Sequence, residues 1–254
     1  RLEGWVFSLG ASATDKKNIA LLAIKCLYEL QHDDSMKSVC SKFLAAEDGE
    51  LCLKDLNVTP VDSAALFEFL GNSKNLKRLF FDGCTIQGEY RYKKMVKSCL
   101  NNPTNTIVSL KSHGYITAEY VKYLSEALKS GNCRLTSLDL FLHKITDQDV
   151  KYLCDALKIR NCKLTSLNLH DRITDKGVEY LRGALESENC KLTSLKLDAT
   201  EMTNKGVQYL SDALESGNCK LTSLNLTNNF AHHGITDQGA KYLSDALESG
   251  NCKL

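Results

Sequence analysis

The tetrapeptide LTSL occurs four times, and its second leucine falls at Leu138, Leu167, Leu195 and Leu224, at intervals of 29, 28 and 29 residues. A fixed period of this size is the signature of stacked repeats, because a unit so short cannot bury its own apolar side and must cover it with a neighbour. Looser copies carry the series back: IVSL puts Leu110 in the same slot, KRLFF puts Leu79 there, and ELCL puts Leu51 there. Seven units are visible, with the start of an eighth. The nine residues NCKLTSLNL at Asn161 to Leu169 return letter for letter at Asn218 to Leu226, so identical side chains are expected to stack into ladders.

Each unit has two halves of different periodicity. NLKRLFFDGCTI, Asn75 to Ile86, spaces Leu76, Leu79, Phe81, Cys84 and Ile86 as L-x-x-L-x-L-x-x-[NC]-x-[LI], and the alternation of Leu79 and Phe81 is that of a strand. TDQDVKYLCDALKIRN places Val150, Leu153, Ala156 and Leu157 at helical spacing behind Thr146 as N-cap. Strand followed by helix, repeated, requires parallel strands. The fold expected is an α/β leucine-rich-repeat solenoid, a right-handed βα horseshoe with parallel strands on the concave face and helices on the convex face. An Asn-Cys pair precedes each strand and aligns Cys133, Cys162, Cys190, Cys219 and Cys252. These are expected to pack as small buried hydrophobes that react slowly, since the close C-x-x-C pairs of zinc sites are absent.

A composition of 43% hydrophobic and 25% charged residues with a formal charge of +1 is that of an ordered chain, and gives no electrostatic argument for nucleic acid or acidic membrane. No run approaches the ~18–20 apolar residues of a membrane-spanning helix, and a cleavable leader pattern is missing. Together with eleven cysteines and no export signal, this reads as a cytoplasmic protein with reduced thiols. The chain starts at Arg1 without methionine and stops at Leu254 inside a copy, so a longer parent and a fraying last edge are expected.

Full helices at alternating 28 and 29 residues resemble the ribonuclease-inhibitor type of leucine-rich repeat. ALLAIKCLYELQHDD (Ala20 to Asp34), followed by LCLKDLNVTPVDSAALFEFLGNSKNLKRLFFDGCTI (Leu51 to Ile86), resembles the junction in NOD-like receptors where the helical region after a NACHT ATPase runs into the repeats. The resemblance implies a helical segment at 1–48 capping the solenoid, then a repeat domain at 49–254 of about seven units of 28–33 residues. It also implies an innate-immune module that binds a protein or a microbial, peptidic ligand and restrains an upstream NACHT domain. Departures from the pattern are Leu56 and Thr200 in the Asn/Cys slot, and the lack of any G-x-x-x-x-G-K-[ST] nucleotide loop. Two alternatives stand beside it: a free-standing ribonuclease-inhibitor-like protein that captures an enzyme, and a Ran-type GTPase-activating protein.

The copies disagree mainly just after the strand, at FLHK (Phe141 to Lys144), HDR (His170 to Arg172), DATE (Asp198 to Glu201) and TNNFAHHG (Thr227 to Gly234). With Leu138 and Leu140 in the core, alternation sends Asp139 and Phe141 to the concave face, and likewise Asn168 and His170, Lys196 and Asp198, and Asn225 and Thr227. These, with His143, Arg172, Phe230 and His232 in the following turns, are the candidate partner-binding residues. Either they recognise a partner or they drift because nothing packs on them, and the insertion in NNFAHHG is likewise a projection or a tolerated lengthening. His113, Phe141 and His170 share one column, which sets the histidines two rungs, ~10 Å, apart and argues against a shared metal. No nucleophile–base–orienter set is present, and Asp147 and Asp149 read as helix-start acids. The basic cluster Arg91, Lys93, Lys94 and Lys97 reads as a solvated helix face. The expectation is therefore a non-enzymatic binding module with no catalytic, cofactor or metal site.

Overall fold

A computed structural model describes residues 49–55, 57–58, 60–73, 75–86, 93, 96–114, 118–142, 145–170, 173–198, 201–227 and 235–254. The proposed helical segment at 1–48 lies outside them. In chain order the elements are β1 (Glu50–Lys54), β2 (Asn57–Val58), α1 (Pro60–Asn72), β3 (Arg78–Asp82), β4 (Thr85–Ile86), a π-turn (Val96–Leu100), β5 (Ser109–Gly114), α2 (Ala118–Lys129) and β6 (Ser137–Leu142). They continue with α3 (Asp147–Leu157), β7 (Ser166–His170), α4 (Asp175–Leu185), β8 (Ser194–Asp198), α5 (Asn204–Glu215), β9 (Ser223–Asn225) and α6 (Asp237–Glu248).

Strands β1, β3, β5, β6, β7, β8 and β9 form one parallel sheet in that order. The register is the sequence period made spatial: Leu51, Leu79, Leu110, Leu138, Leu167, Leu195 and Leu224 are successive partners. Behind the sheet, α2 to α6 pack side by side in sequence order. Their inward stripes, such as Val150, Leu153, Ala156 and Leu157, or Val207, Leu210, Ala213 and Leu214, are buried against the strand leucines. Helices need ~8–10 Å between axes whereas strands repeat at ~4.8 Å, so the sheet takes the inside of the arc. One unit breaks the pattern. Between β3 and β5 the common helix text is lost, and the chain turns through the π segment, which still buries Val96, Cys99 and Leu100.

The copied NCKLTSLNL now has a role for each letter. The Asn side-chain amide reaches back one unit to a carbonyl at the C-terminal end of the preceding helix: Asn189 to Lys158 O, Asn218 to Glu186 O and Asn251 to Glu215 O, each at 3.0 Å. These are carbonyls that a helix end leaves without an internal donor. Lysine does the same for the turn, Lys191 Nζ donating to Arg160 O and Cys162 O at 2.7 and 2.9 Å. Threonine makes a ladder, Thr165 Oγ1 to Thr136 O at 3.1 Å and Thr193 Oγ1 to Thr165 O at 3.2 Å. The leucines fill the core, and the serine and second asparagine alternate onto the open face. Cys133, Cys162, Cys190 and Cys219 are 2–3% exposed free thiols, and burial raises the pKa of all four. The expectation fails at Cys252, which is only half-buried: no described unit packs over it.

A second ladder joins helix starts. Asp147 belongs to α3, yet its carboxylate accepts from Thr174 N (3.0 Å), Thr174 Oγ1 (2.7 Å) and Gly177 N (3.0 Å), at the start of α4. Asp175 repeats this on Thr203 N (2.8 Å), Thr203 Oγ1 (2.6 Å) and Gly206 N (2.8 Å). The glycines are required because a Cβ at Gly177 or Gly206 would stand 2.6 Å from the incoming carboxylate oxygen. Where the acid is missing, the solution changes: Ala118 sits in the Asp147 slot of α2, and α3 supplies its own carboxylate in the glycine slot. There Asp149 Oδ2 accepts from Thr146 N and Oγ1 at 2.9 and 2.7 Å. The helix-start acids thus couple units, a role beyond opposing the helix dipole.

Candidate functional site

The open face of the sheet carries three columns, each fixed by parallel register. The first is Glu50, Arg78, Ser109, Ser137, Ser166, Ser194 and Ser223. The second runs Phe80, Lys111, Asp139, Asn168, Lys196 and Asn225, and the third Asp82, His113, Phe141, His170 and Asp198. Alternation predicted the second and third columns correctly through Asp198. It fails at the last rung: β9 ends at Asn225, and Thr227 turns back so that its N–H (2.9 Å) and its hydroxyl donate to Asn225 Oδ1. With no described strand beyond β9 to pair with, the extended conformation stops, and Thr227 leaves the third column to bond Asn225, which keeps its place beside Lys196 in the second. His143, Arg172, Phe230 and His232 lie outside the described residues, as do Arg91 and Lys94 of the basic cluster. Lys93 and Lys97 are exposed and line a cleft with Glu68 and Glu126, which fits a solvated face.

The centre of the face is an aromatic ridge. Phe80 meets His113 edge-on at 4.8 Å between centroids, His113 meets Phe141 at 5.7 Å, and Phe141 meets His170 edge-on at 4.9 Å. Successive rungs bring the rings into the 4.5–7 Å range of favourable aromatic pairing. Phe141 stays 42% exposed at the middle of the ridge, and Lys111 holds its ammonium 5.9 Å from the Phe80 centroid.

Beneath the ridge runs a line of charge. Asp139 Oδ1 lies 3.6 Å from His113 Nε2 and 3.5 Å from His170 Nε2, so one carboxylate stands between both histidines from the neighbouring column. His170 Nδ1 is 3.3 Å from Asp198 Oδ2, and Lys196 Nζ is 3.3 Å from the same oxygen. Counting rungs placed the histidines correctly but missed this diagonal link, because it depends on side-chain reach; the signal available was an acid on the strand between two histidines. Burial lowers the pKa of His170 and outweighs the opposing pull of Asp139 and Asp198. The Phe141 ring stands between the imidazoles, and among the described residues no group of three His, Cys, Asp or Glu side chains could hold a metal ion. Three side-chain atoms on adjacent strands are buried with no hydrogen-bond partner: His113 Nε2, Asp139 Oδ1 and Asn168 Oδ1.

Among the described residues no helix is long and apolar enough to cross a membrane. A family model described as "Leucine Rich repeat" matches residues 131–154, 188–211 and 217–244. Taken with seven in-register parallel strands alternating with helices, this decides the fold. The chain carries a leucine-rich-repeat solenoid. No curated protein matches it. Among solved structures the repeats are similar to "Leiomodin-1 Actin-Binding Site 2 (ABS2)", at a TM-score of 0.47 and 21% identity over 65% of this chain and 93% of that one. Leucine-rich repeats of this architecture present a rigid, extended face suited to protein surfaces rather than an enclosed pocket.

Proposed function

We propose that the solenoid is the ligand-sensing and partner-binding module of a cytoplasmic NOD-like receptor, engaging a protein or peptidic ligand on the concave sheet. In the full-length chain it would hold an upstream NACHT-type ATPase domain at rest until that ligand arrives. One observation carries the concave assignment. On a face otherwise made largely of serine, asparagine and charged side chains, Phe80, His113, Phe141 and His170 make a contiguous ridge whose central ring is held open to solvent. Exposed aromatics on rigid scaffolds are where interface energy concentrates. The receptor assignment is supported by the sequence around Ala20 to Asp34 and Leu51 to Ile86 and by the 28/29 period.

The test starts from crosslinking, since the partner must first be caught. A photoreactive phenylalanine at position 141 should give a discrete adduct in cells, whereas one at Leu247, exposed on α6, should not; adducts from the helix side alone would refute the concave reading. With the adduct identified, the Phe141→Ser/His170→Ser double variant should bind it at least ~10-fold more weakly, as for a central aromatic anchor. The Phe141→Ser single variant, the folding control, should keep its Tm within ~4 °C, because Phe141 is half out of the fold already.

A further inference from the structure

Along one edge of the solenoid the helices hand over to strands, and stacking sets these turns side by side. Lys163 Nζ reaches Gly131 O at 3.5 Å, and the Asn189 and Asn218 amides reach Lys158 O and Glu186 O at 3.0 Å. The turns read KSGNCR (129–134), KIRNCK (158–163), ESENCK (186–191), ESGNCK (215–220) and ESGNCK (248–253). The first two hold Lys129, Arg134, Lys158, Arg160 and Lys163 with no acid, whereas the other three open on Glu186, Glu215 and Glu248. We infer that the first two turns form a docking site, separate from the concave face, for an acidic protein segment that sets an apolar side chain on Ile159.

The fold requires neither the charge nor the isoleucine. A cation at a helix C-terminus opposes the dipole favourably, yet glutamate fills the Lys129 and Lys158 slot in three other copies. The Ile159 slot is serine in every other turn, and Ser130, Ser216 and Ser249 each accept the N–H of the asparagine two residues on, at 3.2, 3.3 and 3.4 Å. Ile159 gives up that bond and stands 39% exposed between Lys158 and Arg160. The last position of the turn shows the same contrast. Lys191 and Lys220 each donate to two carbonyls at 2.7–2.9 Å, while Lys163 has only the 3.5 Å contact and the exposed Arg134 guanidinium makes no hydrogen bond among the described residues. Ion pairs on the helix side, such as Arg182 with Asp212 at 3.2 Å, lie beyond the patch, and among the described residues none of the five cations makes one.

The extent of the patch selects its occupant. It is two units wide, with Glu186 and Glu188 on the next turn. A nucleic-acid strand, carrying a charge every ~3.4 Å, would run onto those carboxylates, and a flat acidic bilayer would meet them too. A short acidic segment ends before them. Ile159 adds apolar area that a phosphate backbone leaves uncovered and an aliphatic side chain buries. Carboxylates flanking that side chain then meet Lys158 and Arg160 on one turn and Arg134 and Lys163 at adjacent rungs, the arginines offering paired N–H donors.

The 254-residue chain, labelled with 15N, is titrated with the acetylated, amidated peptide EELEE and in parallel with QQLQQ, EESEE, oligo-dT and phosphatidylserine vesicles. EELEE should give saturable shifts at the Arg134, Ile159, Arg160 and Lys163 amides, and should bind at least ~5-fold more tightly than QQLQQ, which lacks the charge, or EESEE, which lacks the apolar contact. Lys158→Glu/Ile159→Ser/Arg160→Glu rewrites the turn as ESENCK, the text of 186–191, so the stack already accommodates it. This variant should lose saturable binding while amide shifts away from the turn stay unchanged, and Ile159→Ser alone should bind EELEE and EESEE alike. Absence of saturable EELEE binding, equal binding of EELEE and EESEE to the wild type, tighter binding of oligo-dT or vesicles, or full binding by the triple variant would each overturn the site. The crosslink from position 141 reports on the other face, so the two readings fail separately.

Discussion

His170 and Gly177 show how single residues carry the design. His170 faces Asp139, Asp198, Lys196 and His113, but burial outweighs the two carboxylates and lowers its pKa. Its folded pKa lies below the ordinary value of about 6.5, so the unfolded chain takes up the proton more readily. The site's stability is whole above pH ~6.5 and falls as pH drops toward the folded pKa. Denaturant titrations at pH 7.5 and 5 should show a smaller difference in His170→Gln than in the wild type. Gly177 and Gly183 share α4 and should respond to alanine with opposite sign. At Gly183 the nearest atom to a new Cβ is Lys158 Nζ at 3.6 Å, and alanine should stabilise by up to ~1 kcal/mol through helix propensity. At Gly177 the Cβ would meet Asp147 Oδ1 and Ile173 Cγ2 at 2.6 Å, and alanine should destabilise by ~1–3 kcal/mol, as overpacking does. Urea midpoints of the two variants, moving apart, would check both.

Among elements, the helix starts illustrate what a sequence does and does not disclose. Thr146 as the N-cap of α3 and the buried stripe from Val150 to Leu157 were legible, because capping and amphipathic spacing act within a dozen residues. The work of Asp147 was not, because its partners Thr174 and Gly177 lie 27 and 30 residues on, and a period alone does not tell which copy a side chain serves. One clue was present: a glycine inside each of α4, α5 and α6, costing ~1 kcal/mol of helix propensity, needed a reason. The chain contains its own control. Asn204 stands in the Asp147 slot, accepting from Thr236 N at 2.9 Å and donating to Thr236 Oγ1 at 2.9 Å. Asp147→Asn should accordingly stay within ~1 kcal/mol of wild type, whereas Asp147→Ala should lose ~1–3 kcal/mol, the range of a lost cap with its unmet donors; thermal unfolding of the pair would show it.

For the whole molecule, stability is a sum over neighbours. The interior units around β6 to β8 are packed on both sides, while Leu224 and Leu243 are only partly covered and Leu247 is 54% exposed. Amide exchange should accordingly be slowest in β6 to β8 and fastest in α6. Thiol labelling should follow the same gradient, with Cys252 modified first and Cys133, Cys162, Cys190 and Cys219 released only on unfolding; prompt labelling of these four in the native protein would contradict the packing described. The concave columns were readable from alternation wherever a strand had two neighbours. They were unreadable at Thr227, where pairing, and with it the extended chain, gives out.

The ladder of helix-start carboxylates gives the stack a polarity. From α3 to α6 the acid or amide comes from the earlier copy and the accommodating glycine from the later one, so the two faces of such a unit are unlike, as plug and socket. Such a surface has no self-complement: two molecules meeting by a twofold axis would set carboxylate against carboxylate or notch against notch. Growth is compatible only in single file and one orientation, which means that engineered lengthening should succeed by inserting whole periods and fail for a copy joined in reverse.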